Sequence, residues 1–304
     1  MENRTLLPTT EQLTHTQALD ALDASAAATA LLQGQLAAVA AVAGATAGIV
    51  RAAEAMAAAI RAGGRLVYAA AGSSGLMALA DSSELAGTFG IPPDAVQIHM
   101  AGGVPVDGRM PGDTEDDVQD VDAIAKGVTQ QDVVIVLSAS GTTPYAVAIA
   151  ERCKAQGATL VAMANNAGSR LLELADIAIC IETPPEVIAG STRMGAGSAQ
   201  KVALNMMSSL MGVKLGHVYG GMMVNVVADN AKLVNRSIGM VRQISGVPED
   251  TARAALELTD GRTKLATLVA AGCSLAQAKA LLAQHDGHLG PCLDTLRSQQ
   301  NARS

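Results

Sequence analysis

One pattern constrains the fold of this chain more than any other. A short apolar run, a turn rich in glycine and hydroxyl residues and a helical stretch follow one another twice. The two copies comprise the runs 65–71 and 132–137, the turns 72–75 and 138–143, and the helical stretches 76–84 and 144–156. Two more apolar runs, 158–164 and 177–181, flank a helix near Leu171. Because strands alternating with helices are joined by right-handed crossovers, the pattern predicts an α/β fold with a doubly wound parallel sheet.

Helical sequence flanks this predicted sheet on both sides. Residues 11–61 are rich in Ala, Leu and Gln and lack proline, which predicts two or three N-terminal helices. A long helix is predicted over 198–215, and three short ones follow Val247 before a polar tail that starts after Leu296. We therefore predict two domains: residues 1–240, with the N-terminal helices and the sheet, and residues 241–304, a small helical module.

Composition excludes several functional classes. A net charge of -7 and 1% aromatic residues disfavour nucleic-acid binding, which needs a basic surface and often stacking rings. Apolar runs such as Val133–Leu137 are far shorter than the ~20 residues of a membrane helix, and the N-terminus does not resemble a signal peptide. The four cysteines form no CxxC pair or metal-like cluster. The sequence predicts a cytoplasmic protein with reduced thiols, no metal site and no nucleic-acid or membrane partner.

The two turns have the chemistry of phosphate sites. The first loop (72–75) offers Gly72, Ser73 and Ser74, and the second loop (138–143) offers Ser138, Ser140 and Thr143. Backbone N–H groups beside glycine, hydroxyl donors and helix N-termini all favour a bound anion. Each loop taken alone is equally typical of a plain turn. Neither matches the ATP or dinucleotide motif, so two such loops at one sheet edge predict a phosphorylated small molecule as ligand.

Longer stretches of the chain carry a family pattern. They are Ala62-Gly-Gly-Arg-Leu-Val-Tyr68, Ser83-Glu-Leu-Ala-Gly-Thr-Phe-Gly90, Thr114-Glu-Asp-Asp117, Pro185-Glu-Val-Ile-Ala-Gly-Ser-Thr-Arg193, Gly197-Ser-Ala-Gln-Lys-Val-Ala-Leu-Asn205, Gly216-His-Val-Tyr-Gly220 and Asn230-x-Lys-Leu-Val-x-Arg236. With the two loops, they resemble the N-acetylmuramic acid 6-phosphate etherase family of the sugar isomerase (SIS) domain superfamily. The stretch that ends at Arg193 is the most specific, because other SIS domains lack it.

This resemblance implies an enzyme and a reaction. Members of the family are carbon–oxygen lyases that eliminate D-lactate from N-acetylmuramic acid 6-phosphate and add water, giving N-acetylglucosamine 6-phosphate. Their two catalytic glutamates align with Glu84 and Glu115, although by sequence alone either is also typical of a solvated surface carboxylate. The resemblance implies no cofactor, a homodimer, and a role in amino-sugar metabolism and peptidoglycan recycling.

Further residues are candidates for substrate binding. The resemblance adds Glu186, Ser191, Thr192 and Arg193, for which a structural turn is the alternative. Lys201 is equally typical of a surface ion pair. A lone histidine such as His217 is more often structural, although SIS dimers often share residues between subunits.

The chain departs from the family pattern at positions near the ligand. Leu76 and Thr142 stand where the family usually has arginine, and Leu13-Thr14 follow Thr10-Glu-Gln12 in place of Arg-Asn. Arg109 is a candidate replacement cation. Two alternative functions follow: a non-catalytic sugar-phosphate sensor similar to the glucokinase regulatory protein, or an aldose–ketose isomerase. Retention of both glutamates disfavours the sensor, and the stretch ending at Arg193 disfavours the isomerase.

Overall fold

The computed structural model of the chain describes residues 9–12, 18–228 and 230–301. The chain forms two compact units. The first comprises Met1–Ser83 and Pro93–Leu210, and the second comprises Glu84–Pro92 and Met211–Ser304. The boundaries of these units differ from those of the predicted domains, 1–240 and 241–304. The two domains stay a prediction.

The strands and helices of the described residues alternate along the first unit, and mostly helices follow in the second. The strands are β1 (Leu66–Ala70), β2 (Val96–Met100), β3 (Val133–Ser138), β4 (Thr159–Ala164), β5 (Ile177–Cys180), β6 (Val218–Tyr219) and β7 (Met222–Met223). The α-helices are α1 (Ala24–Ala40), α2 (Thr46–Arg61), α3 (Gly72–Ser82), α4 (Leu85–Phe89), α5 (Val121–Lys126), α6 (Pro144–Ala155), α7 (Arg170–Leu174), α8 (Gly195–Lys214), α9 (Ala231–Ser245), α10 (Glu249–Leu258), α11 (Thr263–Ala270), α12 (Leu275–Gln284) and α13 (Leu289–Asn301).

A parallel sheet of five strands, in the order β2-β1-β3-β4-β5, organises the first unit. This confirms the predicted α/β fold. The central strands β1 and β3 are buried at every residue, because helices cover both faces of the sheet. Ala70 of β1 pairs with Leu137 of β3, so the two loops that follow these strands leave the sheet side by side.

The edge strand β2 was missed by the sequence prediction. Its residues Val96-Gln-Ile-His-Met100 alternate between apolar and polar side chains, and four of the five are only half-buried. An edge strand that is partly exposed to solvent lacks the continuous apolar run that is typical of the buried strands β1 and β3.

The start of α3 and the structure of the predicted C-terminal tail differ from the sequence prediction. Helix α3 begins at Gly72 rather than Leu76, so the first loop is the first helical turn. Helix α13 occupies most of the predicted polar tail, because Leu289 and Leu293, four residues apart, bury the same side. Helix α12 begins with a capping box between Ser274 and Gln277.

Helical clusters make up most of the second unit. Side chains from α9, α10 and α11, among them Val241, Leu256 and Ala266, form one buried cluster. A second cluster joins α11, α12 and α13 with Val224.

The helical stretch Ala24–Arg61 of the first unit is long and apolar enough to cross a membrane, by length and composition alone. A third, 33%, of its most apolar window is buried in the protein. Core helices of proteins outside membranes meet the same criterion, and the prediction of no membrane partner stays a prediction.

Candidate functional site

A cavity of about 260 Å³ lies where β1 and β3 end, in the first unit. Its lining combines both loops with an N-terminal turn and part of the segment before α8: Thr10, Glu11, Ala71, Ser73, Ser74, Glu115, Leu137, Ser138, Ala139, Ser140, Thr143, Gly190 and Thr192. Ligands of parallel sheets bind at this carboxyl edge. The position and the hydroxyl-rich lining agree with the predicted ligand site.

The first loop presents the start of a helix to this cavity. Gly72 has a φ of 54°, which lets the chain turn sharply from β1 into α3. Ser73 and Ser74 therefore lie in the first helical turn, where backbone N–H groups have no partner within the helix. The hydroxyl and N–H groups at this helix start are donors of the kind that favours an anion, so the predicted phosphate site at the first loop stays a prediction.

The second loop is held by its own hydroxyl groups. The Ser138 Oγ lies 2.9 Å from Thr143 Oγ1 and 3.3 Å from Ser140 Oγ. The N–H of Gly141 donates to Ser138 Oγ at 3.0 Å. Helix α6 begins at Pro144, a residue that has no N–H group to satisfy in the first helical turn. Thr143 occupies the N-cap position, and its hydroxyl contacts that of Ser138. These hydrogen bonds within the loop fix the positions of its hydroxyl groups.

Glu115 is brought to the first loop by a long connection from β2. Thr114 donates its hydroxyl to the carbonyl of Ala101 at 3.2 Å, and the Tyr145 N–H donates to the carbonyl of Glu115 at 3.1 Å. A Cβ placed on Gly72 would lie 2.5 Å from Glu115 Oε1. The predicted glutamate therefore stands against the backbone at the start of α3, close to Ser73 and Ser74.

Glu84, the other predicted catalytic residue, belongs to the second unit. It lies between α3 and α4 with an exposed side chain, and its carbonyl accepts from the Thr88 N–H at 2.9 Å. Its catalytic role stays a prediction.

The predicted binding residues of the segment 186–193 differ in their positions: some line the cavity and others do not. Glu186 is 5% exposed, and its two oxygens accept from the N–H groups of Gly195 and Ala196 at 2.8 and 2.9 Å. This carboxylate therefore caps α8. Thr192 lines the cavity, whereas Ser191 and Arg193 are not among its lining residues.

Lys201 stands beside a buried carboxylate. Asp81 is 2% exposed and accepts hydrogen bonds from Tyr68, Asn205 and Ser208 at 3.0–3.1 Å. Burial raises the pKa of Asp81 above its ordinary value, and its hydrogen bonds and the nearby charge of Lys201 partly offset that increase. The geometry gives Lys201 a place in this polar cluster.

His217 and Arg109 are not among the lining residues of this cavity. His217 follows α8 in the second unit, and its backbone N–H donates to the carbonyl of Gly212 at 2.9 Å. Arg109 is exposed, and its backbone N–H donates to Asp107. The prediction that these residues bind the ligand stays a prediction.

Two lining residues, Thr10 and Glu11, were missed as site residues by the sequence prediction. The family-like stretch Thr10-Glu-Gln12 was the available signal, and the Leu13-Thr14 departure lies outside the described residues. With Glu11 and Glu115, the described lining holds two carboxylates and no Lys, Arg or His. Among these described lining residues, the donors available to a bound anion are neutral.

A larger cavity of about 440 Å³ lies beside the edge strand β2. Its lining includes His99, Tyr145, Asp117 and Asp120 but no residue of either loop. Burial, and secondarily the charge of Arg65, lowers the pKa of His99. The smaller cavity remains the better candidate because the serine and threonine hydroxyls of both loops line it.

No group of three or more His, Cys, Asp or Glu side chains suited to a metal ion occurs among the described residues. The prediction that the protein uses no cofactor stays a prediction.

The chain is similar to proteins of known description. Residues 108–210 match the SIS domain family. The chain is 40% identical over 273 residues to an N-acetylmuramic acid 6-phosphate etherase of Deinococcus radiodurans, covering 89% of this chain and 90% of the relative. A relative of the same description from Edwardsiella ictaluri is 42% identical over 236 residues, covering 76% and 78%. A solved structure from Bacteroides fragilis, described as a phosphosugar isomerase involved in capsule formation, aligns with a TM-score of 0.50 at 18% identity, over 62% of this chain and 90% of that one. This last likeness concerns the fold alone.

Proposed function

Because the chain belongs to the N-acetylmuramic acid 6-phosphate etherase family, we propose that the cavity between its two loops holds the phosphate of that substrate. The protein is a carbon–oxygen lyase that cleaves the D-lactyl ether of N-acetylmuramic acid 6-phosphate, giving N-acetylglucosamine 6-phosphate and D-lactate. The similarity to these relatives over most of the chain carries the assignment. It favours neither the sensor nor the isomerase.

Phosphate binding is assigned to neutral donors. Gly72, Ser73 and Ser74 supply N–H and hydroxyl groups at the start of α3, and Ser138, Ser140, Thr143 and Thr192 supply hydroxyls from the other sides of the cavity. The arginines that the family pattern places at positions 76 and 142 are replaced by Leu76 and Thr142. Thr142 is exposed, and its hydroxyl and N–H both donate to Ser140 Oγ. These hydrogen bonds orient the second loop in place of a cation.

The reaction requires three proton movements. Opening of the sugar ring makes C1 an aldehyde, which acidifies the hydrogen on C2. A base removes that proton, and the lactyl oxygen leaves C3 as an acid protonates it. Water then adds to C3 of the unsaturated intermediate, and the third proton movement is the removal of a proton from this water. Carboxyl groups near the sugar supply such general acid and base steps.

We assign these steps to Glu84 and Glu115. Glu84 acts as acid and base at the elimination, and Glu115 assists the addition of water, as the family resemblance implies. The position of Glu115 supports its part, because it sets a carboxylate on the wall of the cavity that holds the substrate. Ser191, Arg193, Lys201 and His217 remain proposed contacts of the same substrate, and Glu186 acts by capping α8.

A homodimer completes the proposal. Helix α1 contains no charged residue and buries only Ala38, while Leu32 and Leu36, one turn apart, are 59% and 61% exposed. We propose that this face packs against the same face of a second copy, since like faces pair in a twofold dimer. Light scattering after gel filtration should show a dimer that Leu32→Lys converts to monomer and that Leu258→Lys, an equally exposed change on α10, leaves intact. A dimer that survives Leu32→Lys would place the interface elsewhere.

We propose a cytoplasmic location as well. All four cysteines are free, and three of them are buried, as is usual for proteins kept in reducing compartments. Cysteines that form disulfides in protein isolated from cells would contradict this assignment.

The function is tested by supplying N-acetylmuramic acid 6-phosphate in oxygen-18 water. We expect release of D-lactate and one labelled oxygen at C3 of the product sugar, measured by mass spectrometry. Lactate carrying the label, with none in the sugar, would indicate direct displacement on the lactyl group. Absence of lactate would overturn the assignment.

A further inference from the structure

The N-terminal turn (Thr9–Glu11) lies on the same cavity as the two loops, and no motif prediction gave it a role. We propose that Glu11 is a specificity-determining residue whose carboxylate accepts hydrogen bonds from the hydroxyl and acetamido N–H groups of the bound sugar. This inference rests on the proposed function. It adds a contact to the sugar, whereas the two loops contact the phosphate.

The turn is fixed to the site from two sides. Asn166 accepts from the Thr9 N–H at 2.8 Å, and its amide nitrogen donates to Thr10 Oγ1 at 3.3 Å and to the carbonyl of Ala139 in the second loop at 3.1 Å. The Gly190 N–H donates to the carbonyl of Thr10 at 2.9 Å. Thr10 is accordingly 2% exposed, although it is near the N-terminus and far in sequence from Asn166 and Gly190.

Glu11 itself remains exposed at the cavity wall. A Cβ placed on Gly190 would lie 3.2 Å from Glu11 Oε2, so the carboxylate lies along the backbone of the segment 186–193. Gly190, with a φ of 74°, leaves space there that other residues would fill. The position is set by the anchored backbone of the turn.

Charge decides which part of the ligand Glu11 contacts. The described lining contains two carboxylates and no cation, so a phosphate beside Glu11 would be repelled. A carboxylate is an acceptor only, and sugar hydroxyl and acetamido N–H groups are donors. Glu11 is therefore suited to the sugar, and it penalises a ligand that offers only phosphate.

Calorimetry with two ligands tests this assignment without turnover. We expect Glu11→Ala to weaken binding of N-acetylglucosamine 6-phosphate about tenfold, as loss of a charge-assisted hydrogen bond requires. Binding of inorganic phosphate should be unchanged or tighter, because a negative charge has been removed. Glu11→Gln, which keeps an acceptor oxygen, should fall between the wild type and Glu11→Ala for the sugar phosphate. The matched control is Asp94→Asn, which removes an exposed charge from the three-residue 3-10 helix Pro93–Ala95 before β2 and should change neither affinity.

Two results would overturn the inference. Equal weakening of both ligands would mean that Glu11 only supports the fold of the site, and unchanged sugar-phosphate binding would mean that it does not contact the sugar. Failure of the proposed function is separate: wild-type protein that binds N-acetylglucosamine 6-phosphate but releases no lactate from N-acetylmuramic acid 6-phosphate refutes the etherase assignment and leaves the Glu11 measurement intact.

Discussion

The hydroxyl oxygen of Ser138 lies 2.9 Å from that of Thr143, which joins the end of β3 to the N-cap of α6 through side chains. Ser138 is buried and also accepts the N–H of Gly141, whereas Ser140 is half-buried and accepts from the exposed Thr142. Both serines line the cavity. Ser138 therefore contributes more to the stability of the loop, and Ser140 is more accessible to the ligand.

Substituting each serine by alanine separates its effect on stability from its effect on ligand binding. Ser138→Ala leaves the buried Gly141 N–H without its acceptor, and we expect a loss of about 1–3 kcal/mol in the free energy of unfolding. Ser140→Ala should instead weaken sugar-phosphate binding by about 1–2 kcal/mol with little change in stability. Urea unfolding and calorimetry measure the two effects. Unchanged affinity in Ser140→Ala would show that the second loop does not hold the phosphate.

Glu84→Gln tests the catalytic assignment. The residue is exposed, so we expect unchanged unfolding and retained substrate binding, while lactate release falls at least about 100-fold through loss of the acid–base group. Glu257→Gln, an exposed change on α10 in the same unit, serves as the control and should release lactate at the wild-type rate. Wild-type turnover by Glu84→Gln would refute the role of Glu84.

Gly72→Ala is expected to affect Glu115 more than the fold. Both Gly72 and Gly63 have positive φ, 54° and 76°, so an alanine at either site should cost about 1–2 kcal/mol of stability. Only at Gly72 does the new Cβ meet Glu115 Oε1; nothing lies within 4 Å at Gly63. We therefore expect Gly72→Ala to lose kcat/KM and Gly63→Ala to keep it. Equal kcat/KM in the two variants would show that the position of Glu115 beside Gly72 is not required.

Asp132→Asn should make stability less dependent on acid pH. Asp132 is 2% exposed; burial by itself would raise its pKa, but hydrogen bonds from Arg65 and Thr129 outweigh burial and hold the pKa below 3.8. A lowered folded-state pKa adds stability above pH 3.8 that disappears as the pH falls through the folded-state value. At pH 7 we expect the variant to lose about 2–4 kcal/mol.

The deficit of Asp132→Asn should shrink as urea unfolding is repeated below pH 3.8. The exposed pair of Asp122 with Arg152 provides the control, because Asp122→Asn should cost less than about 1 kcal/mol at any pH. A deficit in Asp132→Asn that stays constant with pH would mean that its charge does not contribute.

Sequence patterns were most reliable where burial is complete. The strands β1 and β3 were predicted because residues buried on both faces leave an unbroken apolar run. The half-buried β2 and helix α13 left weaker local signals, and both were missed.

The α/β fold, the two loops and the family could be predicted from the sequence, because each depends on short stretches of consecutive residues. Contacts between residues far apart in the chain became visible in the folded protein: Glu115 lies against Gly72, and Glu11 lines the same cavity as both loops, held there through Asn166. It also assigned Glu186 to the start of α8. These contacts depend on where a connection of more than ten residues returns to the sheet, and packing over the whole unit sets that path, which no local pattern encodes.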